Sequence, residues 1–147
     1  MRRYKHGSAW AVWRYTDVDW KGRTYLLRLH LLKTPWFAIM LHWIKGPDPH
    51  PDPHDHPVSF LSITVRGGYE ERLFDALTCR CGDSYLAETA PSSDRVRYRR
   101  ARDVHQITAA EPDTLTLVFA GPVERRWGYH TPEGWVDWKA YREEHAR

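Results

Sequence analysis

Three histidines fall within seven residues in the run HPDPHDHP, at positions 50–57, and another, His105, stands about fifty residues further on. On an extended backbone residues i and i+2 share a face, so His54 and His56 project together while Asp55 projects the opposite way. Imidazole is the commonest protein ligand for divalent transition metals near neutral pH. Pro53 and Pro57 restrict the chain on either side and reduce the entropy lost when both rings are fixed. Two histidines alone make a weak clip, and His105 is the candidate third ligand. Three neutral imidazoles would leave coordination positions open on one ion, as catalysis requires. With Fe(II), dioxygen and a small substrate could bind side by side, and dioxygenase chemistry is the leading expectation. With Zn(II), Ni(II) or Mn(II) the site would act as a Lewis acid instead, and a non-catalytic small-ligand-binding module is the further alternative. Imidazole-only ligation does not choose among these metals. His50, farther back in the loop, reads as a surface residue.

Other residues could contact a substrate. His42 lies in an apolar run just before the loop and is a candidate general base, or a buried histidine bonded to backbone. Arg66 and Arg97 could pin an anionic group, since guanidinium is the bidentate partner of carboxylate. Residues 121–138 (GPVERRWGYHTPEGWVDW) set three tryptophans and a tyrosine around a Thr-Pro-Glu-Gly turn. Such a segment either closes one barrel end or walls a pocket, and Trp127 is assigned to the pocket. His130 and Glu133 read as packing residues. Cys79 and Cys81 are too close in sequence for ordinary disulfide geometry. With no third cysteine, a four-cysteine zinc site within one subunit is ruled out.

The elements that must position these residues are short and extended. Apolar and β-branched runs at 24–33, 36–44, 59–66, 69–74, 94–100, 104–108 and 114–120 are separated by Pro, Gly, Asp and Ser, which predicts strands. The five prolines between 47 and 57 exclude helix there. One helix is expected, at 138–145, with Asp137 as its N-cap. The fold class is therefore all-β, a sandwich or barrel, in one domain spanning 1–147. The net charge of +3 does not argue for nucleic acid, and the basic run RVRYRRAR at 95–102 reads first as a half-exposed strand. With no apolar run of membrane-spanning length and no signal-peptide core, a cytoplasmic protein with a small-molecule substrate is expected.

The order HDH, strand, glycine, then a lone histidine resembles the cupin superfamily across about residues 36–120. Cupins are small jelly-roll β-barrels whose first motif carries HxH, a glutamate a few residues later and then a glycine, and whose second motif supplies another histidine. The resemblance implies His54, His56 and His105 as the metal ligands. The glutamate position falls at Phe60, with Ser59 and Leu61 beside it, and none of these binds metal well. That departure is similar to the three-histidine cupins, which include thiol dioxygenases, and turns Phe60 toward the substrate. Glu70, just past Gly67-Gly68, is the candidate replacement carboxylate: by strand parity with His54 and His56 even-numbered positions face inward, unless the double glycine breaks that register. WGYHTPEGW resembles the tail of a set of bacterial cupin-like proteins that also carry HDHP and GGY. Cupin barrels often pair, so the resemblance also implies a homodimer.

Overall fold

The computed structural model describes residues 11–78, 84–89 and 91–145. Cys79 and Cys81 lie outside the described residues. Among the described residues eleven strands precede one helix: β1 (Ala11–Trp20), β2 (Arg23–Lys33), β3 (Ala38–Ile44), β4 (Phe60–Arg66), β5 (Tyr69–Thr78), β6 (Ser84–Glu88), β7 (Val96–Arg99), β8 (Val104–Ala110), β9 (Thr114–Ala120), β10 (Gly128–Thr131), β11 (Gly134–Asp137) and α1 (Trp138–His145). The alternation expected at 24–33, 59–66 and 114–120 produces strands at those places. One strand and a hairpin were not expected. The strand β6 and the β10–β11 pair are four or five residues long, too short for period-two alternation to register.

The strands form a jelly-roll β-barrel from two antiparallel sheets. The larger has the order β1-β2-β3-β9-β4-β7 and the smaller β6-β5-β8, with β10-β11 as a separate hairpin. The β1–β2 turn is built by Lys21 and Gly22, whose φ values of 48° and 77° suit the turns that match strand twist. Met40, Val118 and Ala120 form an inner cluster joined by Ala38, Val58 and Phe60.

The corner between β4 and β5 determines which side chains reach the interior. Gly67 has φ 66°, and a Cβ there would lie 2.6 Å from Thr114 Oγ1. Only glycine fits that close approach in the left-handed region. The fully buried Thr114 hydroxyl accepts from the Gly68 N–H at 3.1 Å, closing the corner. Before it, even-numbered Ser62 and Thr64 are buried; after it, odd-numbered Tyr69 and Glu71 are. The chain changes parity within two residues.

The helix α1 starts where expected. Asp137 Oδ1 accepts the Lys139 N–H at 3.0 Å, an N-cap interaction. Tyr141 is wholly buried, stacks on Tyr129 with ring centroids 3.9 Å apart, and donates its hydroxyl to Asp52 at 2.7 Å. The helix thereby fastens the chain end to the proline-rich loop.

Candidate metal centre

The loop at 46–57 runs across the barrel mouth and is tied down at intervals. Asp48 exchanges two bonds with Ile107, one through its backbone N–H at 3.0 Å and one through its carboxylate at 2.8 Å. Gln106 Nε2 donates to the carbonyls of His50 and Pro51. His54 and His105 then bond to each other through both backbone groups, at 2.9 and 3.0 Å. Prolines have no N–H to satisfy, so this segment can lie over the barrel with few ladder bonds. The reciprocal backbone pair places the two remote histidines side by side.

The three rings converge. Centroids are 4.8 Å apart for His54 and His105, 4.7 Å for His56 and His105, and 5.1 Å for His54 and His56. One ligating atom from each lies within 4.8 Å of the others. His56 Nε2 and His105 Nε2 are 3.3 Å apart, as expected for two ligands each about 2.1 Å from one ion. Burial, reinforced by His105, lowers the His54 pKa to about 3 and holds that of His56 well below the usual imidazole range. Both rings are thus neutral at pH 7. No hydrogen bond reaches Nδ1 of either ring. Neutral, convergent imidazoles with unsatisfied nitrogens suit a divalent transition metal.

His105 is oriented from behind. Its Nδ1 lies 2.6 Å from Glu71 Oε2. A carboxylate must accept that bond, which puts the proton on Nδ1 and leaves the Nε2 lone pair facing the other two rings. Burial alone would raise the Glu71 pKa, but the hydrogen bond from His105 and the neighbouring Arg99 guanidinium hold it below the usual range. Arg97 Nε sits 3.0 Å from the other Glu71 oxygen, and the Arg99 guanidinium reaches the same atom. Arg97 also donates to the Tyr69 carbonyl at 2.8 Å and lies over the Tyr69 ring. The chain Arg97/Arg99–Glu71–His105 is largely buried, and the two guanidiniums offset the charge of the Glu71 carboxylate.

This arrangement corrects several sequence expectations. Glu70 faces solvent, where its carboxylate accepts the Thr108 hydroxyl at 3.2 Å, and its neighbour Glu71 reaches the histidines. The parity change at Gly67-Gly68 is the cause. Arg66 is exposed at the end of β4, away from the cavity. Arg97 is buried against Glu71, because β7 turns Val96 and Tyr98 outward and its arginines inward. His50 is buried too, with its Nε2 3.1 Å from the Tyr129 hydroxyl, and burial lowers its pKa to about 4. It supports the loop from behind His54.

Beside the histidines lies a cavity of about 300 Å³, within the range of small-molecule pockets. Phe60 lines it, its ring 4.9 Å from that of His56. Trp127 lines it as well, 6.1 Å from His54, and stacks on Trp138. His42 reaches the same wall, where its Nε2 accepts from Arg28 Nε at 3.1 Å. Burial, with the Arg28 charge adding to it, keeps His42 neutral. Arg28 itself lines the cavity, and neither it nor Glu71 was picked out from the sequence. Arg28 sits in a leucine-rich strand with nothing beside it to mark it, and Glu71 lay one residue from the position the parity rule chose.

Asp55 is the other residue the sequence undersold. It is fully buried and points away from the metal side. Its carboxylate accepts from Arg125 at 2.8 Å, the Gly128 N–H at 2.9 Å, and Trp135 Nε1 at 3.1 Å, and is paired with His130 Nε2 at 3.1 Å. Gly128 leaves no room for a side chain, since a Cβ would lie 2.0 Å from the Val136 carbonyl. His130, expected to pack, does so on Asp55. The aromatic tail is thereby pinned over the barrel end, with Trp127 delivered to the cavity.

No protein-family model and no curated protein matches this sequence. Solved structures do match. A mannose-6-phosphate isomerase candidate from Ralstonia eutropha JMP134 is 19% identical over 81% of this chain and 99% of that one, with a TM-score of 0.52. A variant of Streptomyces PAC13 with uridine is 10% identical over 95% and 97%, with a TM-score of 0.50. An RmlC-like cupin from Shewanella frigidimarina NCIMB 400 is 16% identical over 85% and 97%, with a TM-score of 0.47. At these identities the likeness is one of fold alone, a jelly-roll β-barrel.

Proposed function

We propose that this chain is a mononuclear metal-dependent enzyme acting on a small anionic molecule, with Fe(II)-dependent, dioxygenase-type oxidation as the first reading. The observation that carries it is the convergence of His54, His56 and His105 at the wall of a closed-in cavity. Three neutral ligands leave the charge of a divalent ion uncompensated, because Phe60 stands where a carboxylate would offset it. A substrate carrying a carboxylate, thiolate or enolate would supply the missing negative charge. When bound, the ion offers open positions for such a group and, if it is iron, for dioxygen.

The surrounding residues have separable roles in this reading. Phe60, Met40 and Trp127 keep water from the reacting centre. Arg28, aimed by its bond to neutral His42, holds the anionic end of the substrate. Tyr25 also lines the cavity, and burial raises its pKa, so it stays a protonated donor. Those polar groups favour a second reading, in which Zn(II), Ni(II) or Mn(II) polarises the substrate and Tyr25 or His42 moves a proton without dioxygen.

Elemental analysis of untagged protein, followed by oxygen-electrode assays with Fe(II) and small thiols or enolic acids, tests the proposal. One metal per chain with substrate-dependent oxygen uptake supports the first reading. Anaerobic turnover by a zinc-, nickel- or manganese-loaded sample moves it to the second. A purified chain that takes up none of these metals ends both.

A further inference from the structure

The three converging imidazoles are backed unequally. Behind His105, Glu71 accepts from Nδ1 at 2.6 Å, and Arg97 and Arg99 offset its charge. Behind His56 no acceptor stands: its Nδ1 is buried without a partner, and its ring meets that of Phe60 at 4.9 Å, near edge-on. His54 lies between these cases. Its Nδ1 is also buried without a hydrogen bond, yet Asp48 Oδ2 is 3.8 Å away. That is too far for a hydrogen bond, and a small turn of the ring would make one.

The bonds Asp48 already makes do not account for its charge. It lines the same cavity as the histidines, and its side chain is only 6% exposed. Its Oδ2 accepts the Ile107 N–H at 2.8 Å, and its own N–H donates to the Ile107 carbonyl at 3.0 Å. Among the described residues no lysine or arginine pairs with it. One bond from a neutral amide does not offset a buried carboxylate, and an uncharged oxygen would anchor the loop to Ile107 without that cost.

We infer that Asp48 is the positioning residue for His54: with a cation bound, its carboxylate accepts the His54 Nδ1–H, fixes that tautomer and turns Nε2 to the ion. This role rests on the metal-centre reading above and holds for whichever divalent metal and reaction the centre serves. It repeats on His54 what Glu71 does for His105. The moving part is defined. Asp48 is held through both its backbone and its carboxylate by Ile107, whereas the His54 side chain makes no hydrogen bond, so the ring does the turning. The cation in turn supplies the positive charge that the buried carboxylate lacks.

Zinc-loaded, ¹⁵N-labelled protein tests the assignment. In the wild type, long-range ¹H–¹⁵N spectra should place the His54 proton on Nδ1, with a low-field, slowly exchanging resonance. Asp48→Asn keeps an oxygen for the Ile107 N–H. There the resonance should move upfield or vanish, and zinc affinity by chelator competition should fall about 10–100-fold. Protection of the Ile107 amide and the circular dichroism spectrum should match the wild type. A folded Asp48→Asn protein with the His54 resonance and zinc affinity unchanged overturns the assignment, since a merely structural Asp48 predicts that result. So does a wild type whose zinc-bound His54 carries its proton on Nε2, which needs no variant. Either result, obtained on protein that holds zinc through three imidazoles, leaves the metal-centre reading standing. A wild type that takes up no metal ends both.

Discussion

One three-residue segment does two different jobs on its two sides. On the barrel side His54 and His56 meet His105, with neutral rings and little hydrogen bonding. On the far side Asp55 is a buried carboxylate saturated by donors from 125, 128, 130 and 135. The first side is left electrostatically unfinished, which suits a site that must accept a cation. The second is complete, which suits a structural lock. Extended backbone makes the separation possible, because adjacent residues project to opposite faces.

The contrast predicts unlike responses to mutation. His105→Ala should show the largest effect, on metal: affinity falls beyond the ~100-fold that loss of an outer hydrogen-bond partner costs. Competition against a chelator measures it, and the metal-free protein should unfold much as the metal-free wild type does. Asp55→Ala should do the reverse. Leaving the Gly128 N–H and Trp135 Nε1 without an acceptor costs about 2–4 kcal/mol in denaturant unfolding, since Arg125 can still reach water. The folded fraction should still bind one metal. If Asp55→Ala abolished metal binding in folded protein, the two sides would not be separable.

Two smaller effects sharpen the same division. Glu71→Gln keeps the shape but weakens the acceptor behind His105, and metal affinity should drop about 10–100-fold. Glu70→Gln, one residue away and facing solvent, should change affinity and stability within error. Equal effects from the two would contradict the placement of Glu71. For the cavity, Arg28→Met should raise the KM of an anionic substrate while leaving metal content at one per chain.

The fold was largely legible because it rests on repeated local signals. Strands at 24–33, 59–66 and 114–120 follow from alternation and β-branching, and the helix from Asp137. The HDH spacing disclosed two of the three converging histidines through simple parity. What escaped was non-local. Parity carried past Gly67-Gly68 chose Glu70, whereas the corner demanded by Thr114 shifts the inward position to Glu71. The 95–102 run read as a half-exposed strand with Arg97 as a candidate for a substrate anion, yet a buried carboxylate of the chain itself draws Arg97 and Arg99 inward. Asp55 was correctly turned from the metal side, but its partners lie about seventy residues away and leave no mark in the local sequence.

X-ray absorption at the metal edge of the loaded protein addresses the central claim most directly. The account predicts three imidazole nitrogens at about 2.0–2.2 Å with their characteristic multiple-scattering pattern, falling to two in His105→Ala. A wild-type spectrum with fewer than three imidazoles, or one unchanged by loss of His105, would contradict it.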